Sequence, residues 1–311
     1  MPDLYIGLAG WSYKDWEGVV YPAGIRKKQH PVEYLAQFFD LIEINTSFYG
    51  HIRPAMGRQW AEKAAAANPR FLFTAKLNRA FTHSPIANVE STSAATIRPA
   101  QDDEKLAKEG LDSIAGEGRL GALLAQFPFS FKNTEENRAY LEQLLERFRA
   151  YPMAVEVRHS SWNDEATLAA FAARQVAFCN IDQPKIGASL RPTEHVTAPL
   201  AYVRLHGRHY DQWFSHTRVE DRYNYLYTPE ELERWHGRIV RIAEKSEKTF
   251  VVANNHFAGQ APVNALELRH LATGGPVAAP ELLVKAYPRL EPIVSRAAPA
   301  GPRPARQPRL L

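Results

Sequence analysis

Met153-Ala154-Val155-Glu156-Val157-Arg158-His159 is the stretch that decides how this chain is read. Four apolar residues of strand character are joined by an acid, a guanidinium and an imidazole at the end of the run, so a buried element delivers polar side chains there. The same construction recurs along the chain. Leu4–Ala9 leads to Trp11, Leu41–Ile44 carries Glu43 and ends at Asn45, and Phe71–Ala75 ends at Lys76. Leu120–Ala125 ends at Gln126, and Val176–Ile181 carries Asn180 and ends at Asp182. Ala201–Leu205 carries Arg204 and ends at His206, and Phe250–Ala253 ends at Asn254 and Asn255. Eight buried parallel strands that feed polar groups to one rim describe a (β/α)8 barrel of the TIM type, whose active site lies at the C-terminal ends of its strands.

Segments of helical period separate these runs. Pro54 to Asn68 begins with a proline suited to a first turn and places Trp60 among alanines. Thr134 to Arg149 puts Tyr140, Leu141, Leu144, Leu145 and Phe148 on one face. Thr228-Pro229-Glu230-Glu231 is a capping-box pattern ahead of Leu232, Trp235, Ile239 and Ile242, and Asn163 or Asp164 caps the segment from Ala166 to Arg174. Three connections, Trp11 to Gln29, Asn78 to Asp103 and Gly207 to Tyr227, are long enough to form walls over the rim. The third is rich in aromatics, which suit either a ligand cover or packing on the barrel itself.

The length of 311 residues and 45% hydrophobic content fit one barrel domain, expected over residues 1–295. The formal net charge of +4 is carried by Arg296, Arg303, Arg306 and Arg309, so the body of the chain is neutral. Residues 296–311, rich in Pro, Ala and Arg, are expected to form a disordered tail. Met1-Pro2-Asp3 leads into the first strand without the basic and long apolar segments of a secretion signal. No run reaches the ~20 apolar residues of a membrane span, and the lone Cys179 sits inside an apolar strand. A cytoplasmic location is expected.

Six ordered motifs add a resemblance. They are Gly10-Trp11-Ser12-Tyr13 with Trp16, Glu43-Ile44-Asn45-Thr46-Ser47-Phe48-Tyr49, Gln126-Phe127-Pro128, Glu156-Val157-Arg158-His159-Ser160-Ser161-Trp162, Tyr202-Val203-Arg204-Leu205-His206-Gly207, and Asn254-Asn255-His256 with Gly259, Ala261 and Asn264. Together they resemble the YecE-like family, also called the domain of unknown function 72, over roughly residues 4 to 290. The resemblance implies a (β/α)8 barrel loosely related to sugar-isomerase-type barrels, and implies no particular activity.

The residue types suggest chemistry directly. Glu156 and Arg158, Arg204 and His206, and Glu43 and Asn45 are each two apart on a strand, so the members of each pair point to one side of the sheet. Glu156, His206 and Glu43 are the expected proton-transfer groups, while buried ion pairs closing the barrel are the structural alternative. Lys76, Arg158 and Arg204 are expected to hold an anionic ligand, with Asn45, Asn254 and Asn255 orienting hydroxyls and Trp11 and Trp162 forming an aromatic wall. Lys76 has two further readings, a Schiff-base nucleophile and a salt bridge across the rim. His159, one residue out of phase with Arg158, reads as structural.

No cofactor is expected. Glu156, Asp182 and His206 offer an oxygen-rich set suited to Mg or Mn, but Asn254 and Asn255 stand where a further strong ligand is needed. Zinc motifs, a phosphate-binding glycine loop and a dinucleotide fingerprint are missing from the sequence. A two-carboxylate glycosidase built on Glu43 and Glu156 is a further option. The leading expectation is an enzyme, isomerase-like or hydrolytic, that moves protons on a small anionic or sugar-like metabolite. The alternative is a nucleic-acid- or nucleotide-binding barrel whose basic tail adds phosphate contacts.

Overall fold

The computed structural model describes residues 3–83, 99–209 and 223–295. Eight strands, β1 (Asp3–Ala9), β2 (Leu41–Ile44), β3 (Leu72–Lys76), β4 (Leu120–Gln126), β5 (Met153–Glu156), β6 (Ala177–Asp182), β7 (Leu200–Leu205) and β8 (Lys248–Ala253), pair in sequence order. Every pairing is parallel, and β8 pairs with β1, which closes the barrel. Each expected apolar run is one of these strands. The helices between them are α1 (Pro31–Ala36), α2 (Pro54–Ala67), α3 (Asp103–Ala115), α4 (Glu135–Arg147), α5 (Glu165–Ala173) and α6 (Pro229–Ala243), with α7 (Gln260–Thr273) and α8 (Glu281–Ala286) after the last strand.

The local signals act as their chemistry requires. Thr228 accepts from the Glu231 amide while the Glu231 carboxylate reaches back to the Thr228 amide, so two otherwise unpaired donors at the start of α6 are satisfied. Behind this cap, Leu232, Trp235, Ile239 and Ile242 are buried against the barrel. Thr134 caps α4, and of the two candidates before α5 it is Asp164 that accepts from the Thr167 amide.

Strand register sets which side chains enter the barrel, because residues in register share a face and faces alternate along a strand. Glu43 is in register with Thr74, Gln126 with Glu156, and Tyr202 with Phe250. The hydroxyl of Tyr202 meets both Thr74 and Glu43 from the far side of the barrel, which identifies this face as the interior. The closed end is apolar: Tyr5 and Phe250 pack at 5.5 Å between ring centres. Gly121 makes room there, since a Cβ on it would lie 2.7 Å from Cζ of Phe250.

Three earlier expectations fall partly or wholly outside the described residues. Residues 84–98 belong to the second long connection and 210–222 to the third, including Tyr210, Trp213 and Phe214. The basic segment from Arg296, on which the nucleic-acid alternative rests, also lies outside them. Among the described residues no helix is long and apolar enough to cross a membrane.

Candidate functional site

The interior polar residues stack toward the C-terminal rim. Deepest lies Tyr202, fully buried, with its hydroxyl 2.7 Å from Thr74 Oγ1 and donating to Glu43 Oε2 at 2.8 Å. One turn of the pattern higher, Arg204 donates from Nη2 to Glu43 Oε1 at 2.7 Å and from Nη1 to Glu156 Oε2 at 2.5 Å. Both carboxylates have no exposure and Arg204 has 1%. A planar guanidinium fork suits this bridge, because its two donors point in fixed, separate directions.

Two acids on one guanidinium leave a buried negative charge unless another cation approaches. Arg158 supplies it, donating from Nε to Glu156 Oε1 at 3.0 Å. Burial alone would raise the Glu156 pKa, but Arg204, His206 and Arg158 outweigh it and hold the carboxyl well below the usual range. Glu156 is therefore a fixed anion whose two oxygens are both engaged. It clamps Arg204 and Arg158 in place.

His206, fully buried, accepts from the Asn254 amide at Nδ1, with 2.9 Å between nitrogens. That assignment puts the ring proton on Nε2, which lies 3.2 Å from Glu156 Oε1 but is not aligned to donate to it. Burial pushes the imidazole pKa down to about 4 against the pull of Glu156, so the ring is neutral at physiological pH. Gly207 follows at φ +88°, where a Cβ would lie 2.6 Å from Cβ of Tyr225, and its amide donates to the Tyr227 hydroxyl at 2.9 Å.

At the rim the basic groups gather. Ser47 Oγ donates to the Ile44 and Lys76 carbonyls, both at 2.7 Å, and Asn78 donates to the Ser47 carbonyl, which locks the loop after β2 beside the end of β3. That lock puts Phe48 under Lys76, whose Nζ lies 4.2 Å from the ring centre. Burial and then Arg204 push the half-buried Lys76 ammonium down to about 7, with Glu43 and Glu156 opposing. Among the described residues no carboxylate lies within 4.0 Å of it. His83 meets the same Phe48 ring edge-on at 5.0 Å, and burial followed by the charges of Lys76 and Arg158 lowers its pKa to about 3. Arg158 keeps 13% of its side chain exposed.

Next to Asn45 at the rim, Tyr13 donates to the Ala9 carbonyl at 2.6 Å and stacks on His256 at 4.2 Å. Burial raises its pKa above the ordinary value, with the Asn45 amide acting against the rise. Asn45 Oδ1 is buried without a partner among the described residues.

The structure thus brings together Glu43, Glu156, Arg204, His206, Arg158, Lys76, Asn45 and Asn254. It separates four other residues considered from the sequence. Asp182 is in register with Leu205, so it leaves the barrel on the outer face, where Arg208 Nε holds both its oxygens at 2.8 and 3.0 Å and also reaches Glu231. The Glu156, Asp182 and His206 metal set therefore does not converge, and the described residues contain no other group of three acids, histidines or cysteines placed to hold a metal. Asn255, one residue out of phase with Asn254, spends its amide on the Tyr225 carbonyl and Asn264, which ties the loop before α6 to α7. Trp11 is buried against Trp60 at 5.0 Å and Phe73 at 6.5 Å, between strand and helix rather than at the rim. Trp162 is likewise packing, stacked on Phe131 with its indole N–H on the Phe131 carbonyl.

The glycosidase geometry does not fit either. Glu43 and Glu156 share Arg204 between them and have no exposure, so no sugar ring passes between the two carboxylates. Tyr13 and His83 join the site without having been singled out from the sequence. Tyr13 lay within the motif after β1, whereas His83 follows its strand by seven residues with no periodic signal.

Similarity to other proteins agrees with this fold. The family described as "Protein of unknown function DUF72" matches residues 5–284. UPF0759 protein YunF of Bacillus subtilis (strain 168) is 28% identical over 279 residues, covering 86% of this chain and 94% of its own. A crystal structure of a DUF72 family protein from Thermotoga maritima MSB8 is similar at 32% identity and a TM-score of 0.73, covering 87% of this chain and 99% of the other. A DUF72 family protein from Enterococcus faecalis V583, at 22% identity and a TM-score of 0.72 over 87% of this chain and 95% of its own, shares the fold.

Proposed function

The chain belongs to the DUF72 family, and from that premise and the geometry of the rim we propose that it is an enzyme acting by proton transfer on a small anionic, oxygen-rich metabolite. One observation carries this reading. All four oxygens of Glu43 and Glu156 are engaged by Arg204, Tyr202 and Arg158, so the reactive groups left toward the rim are basic or neutral. Two acids face three bases, and such a surface favours an anion.

In this reading Arg158 binds a phosphate or carboxylate of the substrate, held at the right angle by Glu156. Lys76 exchanges the proton, because an amine that titrates near neutrality serves as either acid or base. Neutral His206 and Asn254 complete the wall, and Asn45 presents a carbonyl oxygen to a substrate hydroxyl. The carboxylates position these groups and do not themselves move the proton.

Thermal denaturation of the wild type and of Arg158→Ala with a panel of sugar phosphates and sugar acids tests the proposal. A ligand should raise the wild-type midpoint through binding linkage and have little effect on the variant. Equal midpoint shifts in the two proteins would contradict it.

A further inference from the structure

We infer that Lys76 is a covalent catalyst, whose Nζ captures an aldehyde or ketone carbonyl of the substrate as an imine. This deepens the function proposed above and rests on it, since the same rim has to bind the substrate's anionic group.

The geometry supplies what imine formation needs. The Nζ sits at the end of β3 over the face of Phe48 at 4.2 Å. Among the described residues no carboxylate lies within salt-bridge distance of it, and burial, then Arg204, disfavour the ammonium against the pull of Glu43 and Glu156. An amine so placed is kept as a nucleophile. The aromatic face then has a second use. A protonated imine is again a cation, and the ring on which the ammonium rested can stabilise it by the same cation–π attraction. His83, on the edge of the same ring, is held neutral, with Nδ1 3.0 Å from Thr82 Oγ1.

The step balances without any other reactant. The Nζ lone pair attacks the carbonyl carbon, forming the C–N bond as the C=O π pair moves to oxygen. Proton transfer from nitrogen to oxygen gives the carbinolamine. Loss of that hydroxyl as water, with one proton taken from solvent, leaves the protonated C=N bond. Hydrolysis reverses each step. An imine also acidifies the neighbouring carbon, so in this form Lys76 serves the proton transfer by activating that C–H bond and no longer exchanges the proton itself.

The test traps the imine in the full-length protein. The wild type is incubated at pH 7.5 with dihydroxyacetone phosphate, glyceraldehyde 3-phosphate or pyruvate, reduced with sodium cyanoborohydride, digested and mapped by mass. The adduct should fall on Lys76 at least about tenfold more than on any other lysine, because a lysine amine of ordinary pKa, about 10.4, is almost wholly protonated at that pH. Adducts spread evenly over the lysines, or missing from the Lys76 peptide, would overturn the inference; the mapping uses the wild type and needs no variant to fold. Glycerol 3-phosphate, which has no carbonyl, is the parallel probe of the anion site by thermal shift. Stabilisation by it without an adduct on Lys76 refutes the covalent step alone, and neither stabilisation nor adduct with any probe refutes the anion site as well.

Discussion

Nη1 of Arg204 donates to Oε2 of Glu156 at 2.5 Å with both side chains buried in the barrel, so the acid that the sequence offers as a proton-transfer group is already engaged by a cation. Glu156 also holds Arg158, and the loss of its charge would leave two guanidinium groups short of a counter-ion.

Glu156→Gln keeps the shape and removes that charge. The variant should lose roughly 3–5 kcal/mol of stability, the usual cost of breaking a buried ion pair from one side. Urea denaturation with an unchanged m-value measures it. Near-normal stability would show that Glu156 is not a clamp and would return it to the list of proton-transfer groups.

A second support lies deeper. Tyr202→Phe removes one hydroxyl and leaves Oε2 of the buried Glu43 without its donor. Hydrogen bonds to charged groups contribute about 1.5–3 kcal/mol, and a loss in that range is expected from the same denaturation measurement. A change within experimental error would mean that water or Thr74 takes over the contact.

The barrel and most of its interior polar residues were legible because both depend on local rules. Alternation along a strand places Glu156 with Arg158 and Arg204 with His206, and a single residue out of phase with Asn254 moves Asn255 to the outer face. Asp182 shows what the sequence conceals: the register of β6 against β7, which no local pattern states, decides that it meets Arg208 and not His206. Trp11 misleads for a related reason. A tryptophan after a strand end has the same sequence signature whether it faces the rim or, as here, slides between strand and helix onto Trp60. Which oxygens of Glu43 and Glu156 are already taken across the barrel was not legible either, since those contacts join strands far apart in the sequence.

His206 makes a prediction about acid. Its folded pKa of about 4 lies below the ordinary 6.5, so the unfolded chain binds more protons between those values and stability rises with pH across that window. Stability should therefore fall as pH drops from 6.5 toward 4, and His83, lowered to about 3, adds to the fall in the same direction. Nitrogen-15 spectra of the imidazoles should show His206 as a neutral ring protonated on Nε2 throughout pH 5.5 to 8, a range set about one and a half units or more above its titration point. A His206 signal titrating near 6.5 would contradict the buried, Asn254-tethered arrangement.

The central claim is that the rim presents Lys76 as a reactive amine, and its titration is the most direct measurement. Protein labelled with carbon-13 at lysine Cε, with the Lys76 resonance assigned by its loss in Lys76→Arg, is followed by NMR from neutral to alkaline pH. The account predicts a midpoint at about 7, far below the ordinary 10.5. A Lys76 resonance that titrates near 10.5 with the other lysines would contradict it.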